Sequence, residues 1–237
     1  LCKVPVVPRY YPACQASVVL FGRSGVPYLR AIVEEGTRVS TMDKFCKESI
    51  IPVGDFQWEC LDESWFHQSS LAAYDYHLAR PTRVFNTTKT VFLIRDPFDS
   101  VVDLYYRRYW SRRMNPFKGD PIKTFSDHQN VMTFAIKEFK EWNQYMEDVK
   151  KFIDTHLEEE FHLVWYDELD SDQLWKNATQ ALFTFIRDPD YYPTPEQSIR
   201  CVDQSSLDDG PSYLKGIPKR DYIFSANDRK TLCPLVI

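Results

Sequence analysis

Short apolar runs alternate along this chain with stretches in which apolar residues recur every three or four positions, and that alternation sets the expected fold. The run from Ala16 to Phe21 is uninterrupted and ends at Gly22, which predicts a buried strand; from Val26 to Glu35, Leu29, Ile32 and Val33 recur at helical spacing. Pro27 suits the first turn of that helix and Gly36 predicts its stop. The unit repeats: Thr90 to Ile94 predicts a second strand, and Asp99 to about Trp110 a helix that Asp99 or Ser100 is expected to cap. Met132, Ala135, Phe139, Trp142, Met146, Val149 and Ile153 form the stripe of one long amphipathic helix, a packing face and not a cofactor site. Phe161 to Tyr166 predicts a third strand, followed by a helix around Leu174 to Ile186. The expectation is an α/β fold: a central, mostly parallel sheet flanked by helices on both faces. With no repeat, low-complexity tract or linker, residues 1–237 read as a single domain with its core at about 16–230.

A chain of 237 residues that is 43% hydrophobic has ample material for a core, which excludes disorder as its main state. The formal charge of −5 repels phosphate at long range, so any anion must be held by a local basic site and a nucleic-acid partner is not expected. No apolar run approaches the ~18–20 residues of a membrane span, and the first residues lack the apolar core of a signal peptide; a membrane anchor is expected only outside these residues. Six cysteines (Cys2, Cys14, Cys46, Cys60, Cys201 and Cys233) are widely spaced without a CxxC pair, so no zinc or other metal site is expected. Up to three disulfides fit an oxidising compartment, and at least two are expected. The sequons at Asn86 and Asn177 point the same way, to the Golgi lumen or an extracellular location, with both asparagines exposed.

Open parallel sheets bind ligands at the carboxyl ends of their strands, which directs attention to the strand-to-helix junctions. In the first, Phe21-Gly22-Arg23-Ser24-Gly25-Val26-Pro27, glycines permit a tight turn, and the amides of the following helix start form an anion site to which Arg23 adds charge. No GxxxxGK[ST] spacing is present, which argues against ordinary ATP or GTP hydrolysis. In the second, Leu93-Ile94-Arg95-Asp96-Pro97-Phe98-Asp99, an arginine closes an apolar strand and must meet an anion: a ligand, or an internal carboxylate such as Asp96 or Asp99.

These two junctions, RSGxxxLR and LIRDPFDSVV, resemble the phosphosulfate-binding loops of the sulfotransferase superfamily, in particular the Golgi-type carbohydrate sulfotransferases related to WSC-domain proteins. Leu29 to Glu35 resembles the family's first helix, Gln68 to His77 the strand ending in its KTH motif, and Val164 to Leu169 its FYEDL segment; Ser198 to Cys201 and Lys215-Gly216 are similar to its C-terminal donor loop. The resemblance implies a P-loop-like sulfotransferase fold and the donor 3′-phosphoadenosine 5′-phosphosulfate (PAPS), with adenosine 3′,5′-bisphosphate (PAP) as product and no metal. It further implies that Arg23, Ser24 and Gly25, followed by Val26, hold the 5′-phosphosulfate, and that Arg95, with Ser100 and Asp103, faces the 3′-phosphate. Tyr166 would lie against the adenine, and Lys215 and Gly216 would contact the donor. Arg23 and two histidines stand as catalytic: His77 as the base that takes the acceptor's hydroxyl proton, and His67 as a second candidate.

The chain departs from the family pattern where chemistry is concentrated. Val26 and Pro27 replace two threonines, removing two hydroxyls and one N–H; Asp75 replaces the lysine of KTH; and Asp103 replaces a serine eight positions after Arg95, a carboxylate to be neutralised by Arg107 or Lys215. Three functional readings follow: a PAPS-dependent sulfotransferase acting on a glycan or secreted-protein hydroxyl, a sulfotransferase-like binding module without activity, and another P-loop-like transferase such as a kinase.

Overall fold

A computed structural model describes residues 16–21, 25–38, 41–43, 72–75, 89–113, 128–158, 161–187, 194–202 and 223–236. Its five strands are β1 (Ala16–Leu20), β2 (Met42–Asp43), β3 (Ala72–Asp75), β4 (Lys89–Ile94) and β5 (Phe161–Trp165). They form one sheet in the order β2-β3-β1-β4-β5, and every pairing is parallel. The helices are α1 (Val26–Thr37), α2 (Pro97–Arg113), α3 (His128–Ile153), α4 (Tyr166–Leu169), α5 (Trp175–Ile186), α6 (Pro195–Cys201) and α7 (Ala226–Leu232). The expected α/β architecture with a parallel sheet is thus present.

Alternation along the strands assigns the two faces. Val18, Val91, Leu93 and Val164 point to one side and pack with Leu29, Ile32 and Val33 of α1 and Leu182, Phe183 and Ile186 of α5. Val19 and Phe92 point to the other and meet Trp142, Tyr145 and Val149 of α3. Residues Thr90 to Ile94 of β4 are buried on both sides, which is why that strand is an unbroken apolar run from Val91 onward. The amino-terminal half of α3 turns away from the sheet to pack on α2 and α7, where Phe98 meets Phe139 and Phe224 edge-on at 5.0 and 5.6 Å.

After β1 the chain passes through α1 to β2 on one side of the sheet order; after β4 it passes through α2 and α3 to β5 on the other. Right-handed crossovers in opposite directions must cover opposite faces, as α1 and α3 do. The point of divergence lies between neighbouring β1 and β4, and the Tyr145 hydroxyl sits beneath it, 3.2 Å from the carbonyl oxygens of both Val19 and Leu93.

A buried polar knot fixes α1 to the entry of β2. Arg30 donates from Nε to Thr41 Oγ1 at 2.7 Å and from Nη2 to the Thr41 carbonyl at 2.9 Å, while the Thr41 N–H and hydroxyl donate to Glu34 Oε1 at 3.0 and 2.6 Å. Glu34 is fully enclosed, which is tolerable because its carboxylate meets these donors and the Arg30 charge.

Three local expectations need correction. Gly36 does not stop α1, which continues to Thr37 and ends with Arg38 in the left-handed region at φ 60°. A Cβ at position 36 would lie 2.1 Å from Phe183 Cζ, so glycine is there to admit the ring of a neighbouring helix. The cap of α2 is neither Asp99 nor Ser100: Asp96 Oδ1 accepts from the N–H groups of Phe98 (2.8 Å) and Asp99 (3.2 Å), and the helix begins at Pro97. Tyr166, expected at the end of a strand, opens α4.

Cys201 is disulfide-bonded, with a partner outside the described residues, and Cys233 is a free, exposed thiol. A free Cys233 overturns the allowance for three disulfides, since the five other cysteines can close at most two bridges within the chain. Asn177 is exposed on α5 as expected, and Asn86 lies outside the described residues. Among the described residues no helix is long and apolar enough to cross a membrane.

Two measurements check this packing. Gly36→Ala, which in an ordinary helix interior stabilises by about 0.5–1 kcal/mol, is expected to destabilise by about 1–3 kcal/mol through overpacking, and Phe183→Leu in the same background should recover part of the loss. A neutral or stabilising Gly36→Ala in denaturant melts would refute the close approach. Thiol titration of the denatured, unreduced chain should find two free thiols; four would leave the Cys201 bridge as the sole one.

Candidate functional site

The chain diverges after β1 and β4, and the carboxyl ends of two such strands are the position at which open parallel sheets form a crevice and take ligands. What lines it follows from the register. Ile94 of β4 stands opposite Trp165 of β5, so the next residue of each strand, Arg95 and Tyr166, leave the sheet side by side. The Arg95 guanidinium carbon lies 4.5 Å from the centroid of the Tyr166 ring, a cation–π contact that holds the charge over an aromatic face.

Gly25 approaches the same ring from the β1 side. It precedes α1 in the left-handed region, φ 82° and ψ −10°, and its carbonyl accepts from the N–H of Leu29 at 2.9 Å. A Cβ there would stand 2.4 Å from Tyr166 Cδ2 and 3.4 Å from Leu93 Cδ2. The turn and the aromatic contact therefore both require glycine. Tyr28, which the sequence reading did not single out, completes the aromatic wall: its ring lies 5.8 Å from that of Tyr166, and its hydroxyl donates to the Leu169 carbonyl at 3.1 Å. Its position in the first turn of α1, within the RSGVPYLR segment, is the signal that was available.

Arg95 pairs with neither Asp96 nor Asp99. Its Nη1 lies 3.4 Å from Asp103 Oδ2, and Asp103 is only 2% exposed on the inner face of α2. Asp96 is engaged instead by the start of α2. This pair forms because α2 starts directly at Pro97 and carries position 103 back over the end of β4; the Arg107 side chain and Lys215, expected to neutralise Asp103, lie outside the described residues. The pair is long and single-pointed, and the Arg95 Nε is buried without a hydrogen-bond partner. The guanidinium is thus held in place with donor capacity left over. Ser100, also on the inner face of α2, is 1% exposed, and its N–H donates to the Asp96 carbonyl at 2.9 Å.

Gly25, Arg95, Ser100, Asp103 and Tyr166 are therefore brought to one end of the sheet. Val26 is the first residue of α1 and Pro27 follows it, so position 27 offers no amide to an anion at the helix start. Arg23, Ser24, His67, His77, Lys215 and Gly216 lie outside the described residues, as does Arg107's side chain. His162 belongs to β5 opposite Val91, well before the strand ends; burial lowers its proton affinity, and its ring stacks on Phe185.

The assembled unit is a guanidinium spread over an aromatic ring, braced by a buried carboxylate, next to a glycine turn that opens a helix. Such a unit can hold an anionic or hydrogen-bonding group of a ligand in the crevice. No protein-family model matches the chain, and no curated protein is significantly similar to it.

Removing the guanidinium takes a cation from beside the buried Asp103 carboxylate. Arg95→Ala is expected to lower unfolding free energy by about 1–2 kcal/mol, below the ~3–5 kcal/mol of a fully enclosed pair because the Arg95 side chain is 20% exposed. Asp103→Ala in that background should cost less than it does alone. Melting of Arg95→Ala at the wild-type temperature would show that the pair contributes nothing to the fold.

Proposed function

We propose that this chain has a P-loop-like sulfotransferase fold, binds PAPS in the crevice between β1 and β4, and transfers its sulfuryl group to a hydroxyl of a glycan or secreted protein. The observation that carries the reading is the convergence of Gly25, Arg95 and Tyr166, from three separate junctions, on one end of a parallel sheet. Each of the three falls in a segment that resembles a donor-binding element of that family. The disulfide at Cys201 and the exposed sequon asparagine at Asn177 support a luminal or secreted setting.

PAPS would supply an activated sulfuryl group, and the protein's part is positioning and charge. The buried, unpartnered Nε of Arg95 and the left-handed glycine turn before α1 support the reading of a site for a phosphorylated nucleotide. In the proposed assignment the amides at the start of α1, with Arg23 and Ser24, hold the 5′ group, and Tyr166 fixes the plane of the Arg95 guanidinium. His77, or His67 in its place, accepts the proton of the acceptor hydroxyl as its oxygen bonds to sulfur and the bond from sulfur to the 5′-phosphate breaks.

The Arg95–Asp103 pair favours a second reading, a module that retains the fold and binds without turnover, because the arginine already has an internal anion. Thermal melts with PAP test the shared premise. A ligand at 100 times its dissociation constant adds about 2.7 kcal/mol to stability, so PAP should raise the melting temperature in a concentration-dependent way, and Arg95→Ala should weaken the response. No shift at millimolar PAP would remove both readings; a shift without sulfuryl transfer to any glycan acceptor would favour the second.

A further inference from the structure

We propose that Asn177 carries an N-linked glycan, attached before α5 packs onto the sheet, and that the Thr179 hydroxyl serves this attachment and not the fold. The site depends on a luminal setting, for which the Cys201 disulfide speaks independently of the sequon, and it does not depend on the donor nucleotide.

Thr179 lies on the face of α5 that Trp175, Leu182, Phe183 and Ile186 bury; it is fully enclosed, and its Oγ1 makes no hydrogen bond. Elsewhere in the helices Thr37, Thr133, Thr184 and Thr231 each donate to the carbonyl four residues before, at 2.6, 2.9, 2.8 and 3.1 Å. A buried hydroxyl without a partner has lost its water and gained no bond in return, so a valine of the same shape would serve the core better. Thr179 is, however, the third residue of Asn177-Ala178-Thr179, and a hydroxyl at that place is what distinguishes an acceptor sequon from any other asparagine.

Asn177 stands between Trp175 and Thr179, about 200° around the helix from each, which places it opposite the buried face, and it is exposed. Helical side chains lean toward the amino-terminal end, so a sugar on Asn177 lies over the preceding turn, where Leu174 is 48% exposed. Its first ring covers an apolar side chain that the protein itself leaves in water. In the transfer, Asn177 Nδ2 bonds to the anomeric carbon of a lipid-diphosphate-linked oligosaccharide, the bond from that carbon to the diphosphate oxygen breaks with its electron pair on the oxygen, and the amide nitrogen releases a proton to the medium. The transferring enzyme must reach the Thr179 hydroxyl, which the packed helix seals, so the reaction belongs to the unfolded chain.

Two preparations of the 237-residue chain test this, one secreted from eukaryotic cells behind an added signal peptide and one made without glycan and folded with its disulfides oxidised. Mass spectrometry of the secreted chain should find the glycan on Asn177; Thr179→Ser should keep it and Thr179→Val lose it. Membranes holding the transferase and its lipid-linked donor should leave Asn177 of the folded chain bare. In the glycan-free Asn177→Gln background, Thr179→Val should raise the melting temperature by about 2–4 °C. A bare Asn177 in the secreted chain overturns the proposal even where no variant folds; modification of the folded chain, or no rise with Thr179→Val, overturns the part assigned to Thr179. Cys201 found as a free thiol in the secreted chain would remove the luminal setting as well, whereas a bridged Cys201 beside a bare Asn177 removes the glycan alone.

Discussion

Two neighbouring parallel strands, β1 and β4, send their chains away in opposite directions, and the rest of the molecule follows from that divergence. Because crossovers are right-handed, the choice of direction also decides which face each helix covers, so α1 and α3 lie on opposite sides of the sheet. Tyr145 shows how closely the point of divergence is built: its single hydroxyl lies within hydrogen-bond distance of a carbonyl from each diverging strand, tying α3 to the sheet directly under the crevice.

A charged residue at the end of a central strand is costly unless something meets it, and Arg95 is met twice. Tyr166 provides an aromatic face and Asp103 a carboxylate, from different elements, so the position of the guanidinium depends on β4, β5 and α2 together. The aromatic contact is worth about 0.5–2 kcal/mol according to how far it is desolvated, and the long carboxylate contact adds its own share. Neither is strong alone. Their joint effect is to hold a cation whose Nε makes no hydrogen bond within the protein.

Much of the sheet was legible because its strands are short apolar runs: β1, β4 and β5 differ from expectation by a residue at an end, and the stripe of α3 falls where its spacing predicted. What escaped depended on partners distant in sequence. Gly36 looks like a helix stop until Phe183 of α5 is seen against it. Asp96 was the better cap for α2, and the proline after it was the clue, since proline suits the first helical position. The candidate site was legible at Gly25, Arg95 and Tyr166 because each sits at a junction. The Arg95–Asp103 pair was not, because it bridges a strand end and a helix face, and neither the period of a strand nor that of a helix predicts it.

The contact at Gly36 has a mechanical consequence. The twelve residues of α1 make a rod of roughly 18 Å, with the Phe183 ring seated at one end and the turn at Gly25 at the other. Between them the rod is gripped by the Arg30, Glu34 and Thr41 knot. The seat of Phe183 and the turn against Tyr166 thus belong to one rigid element, so α5 and the end of the sheet where Arg95 stands are joined through α1.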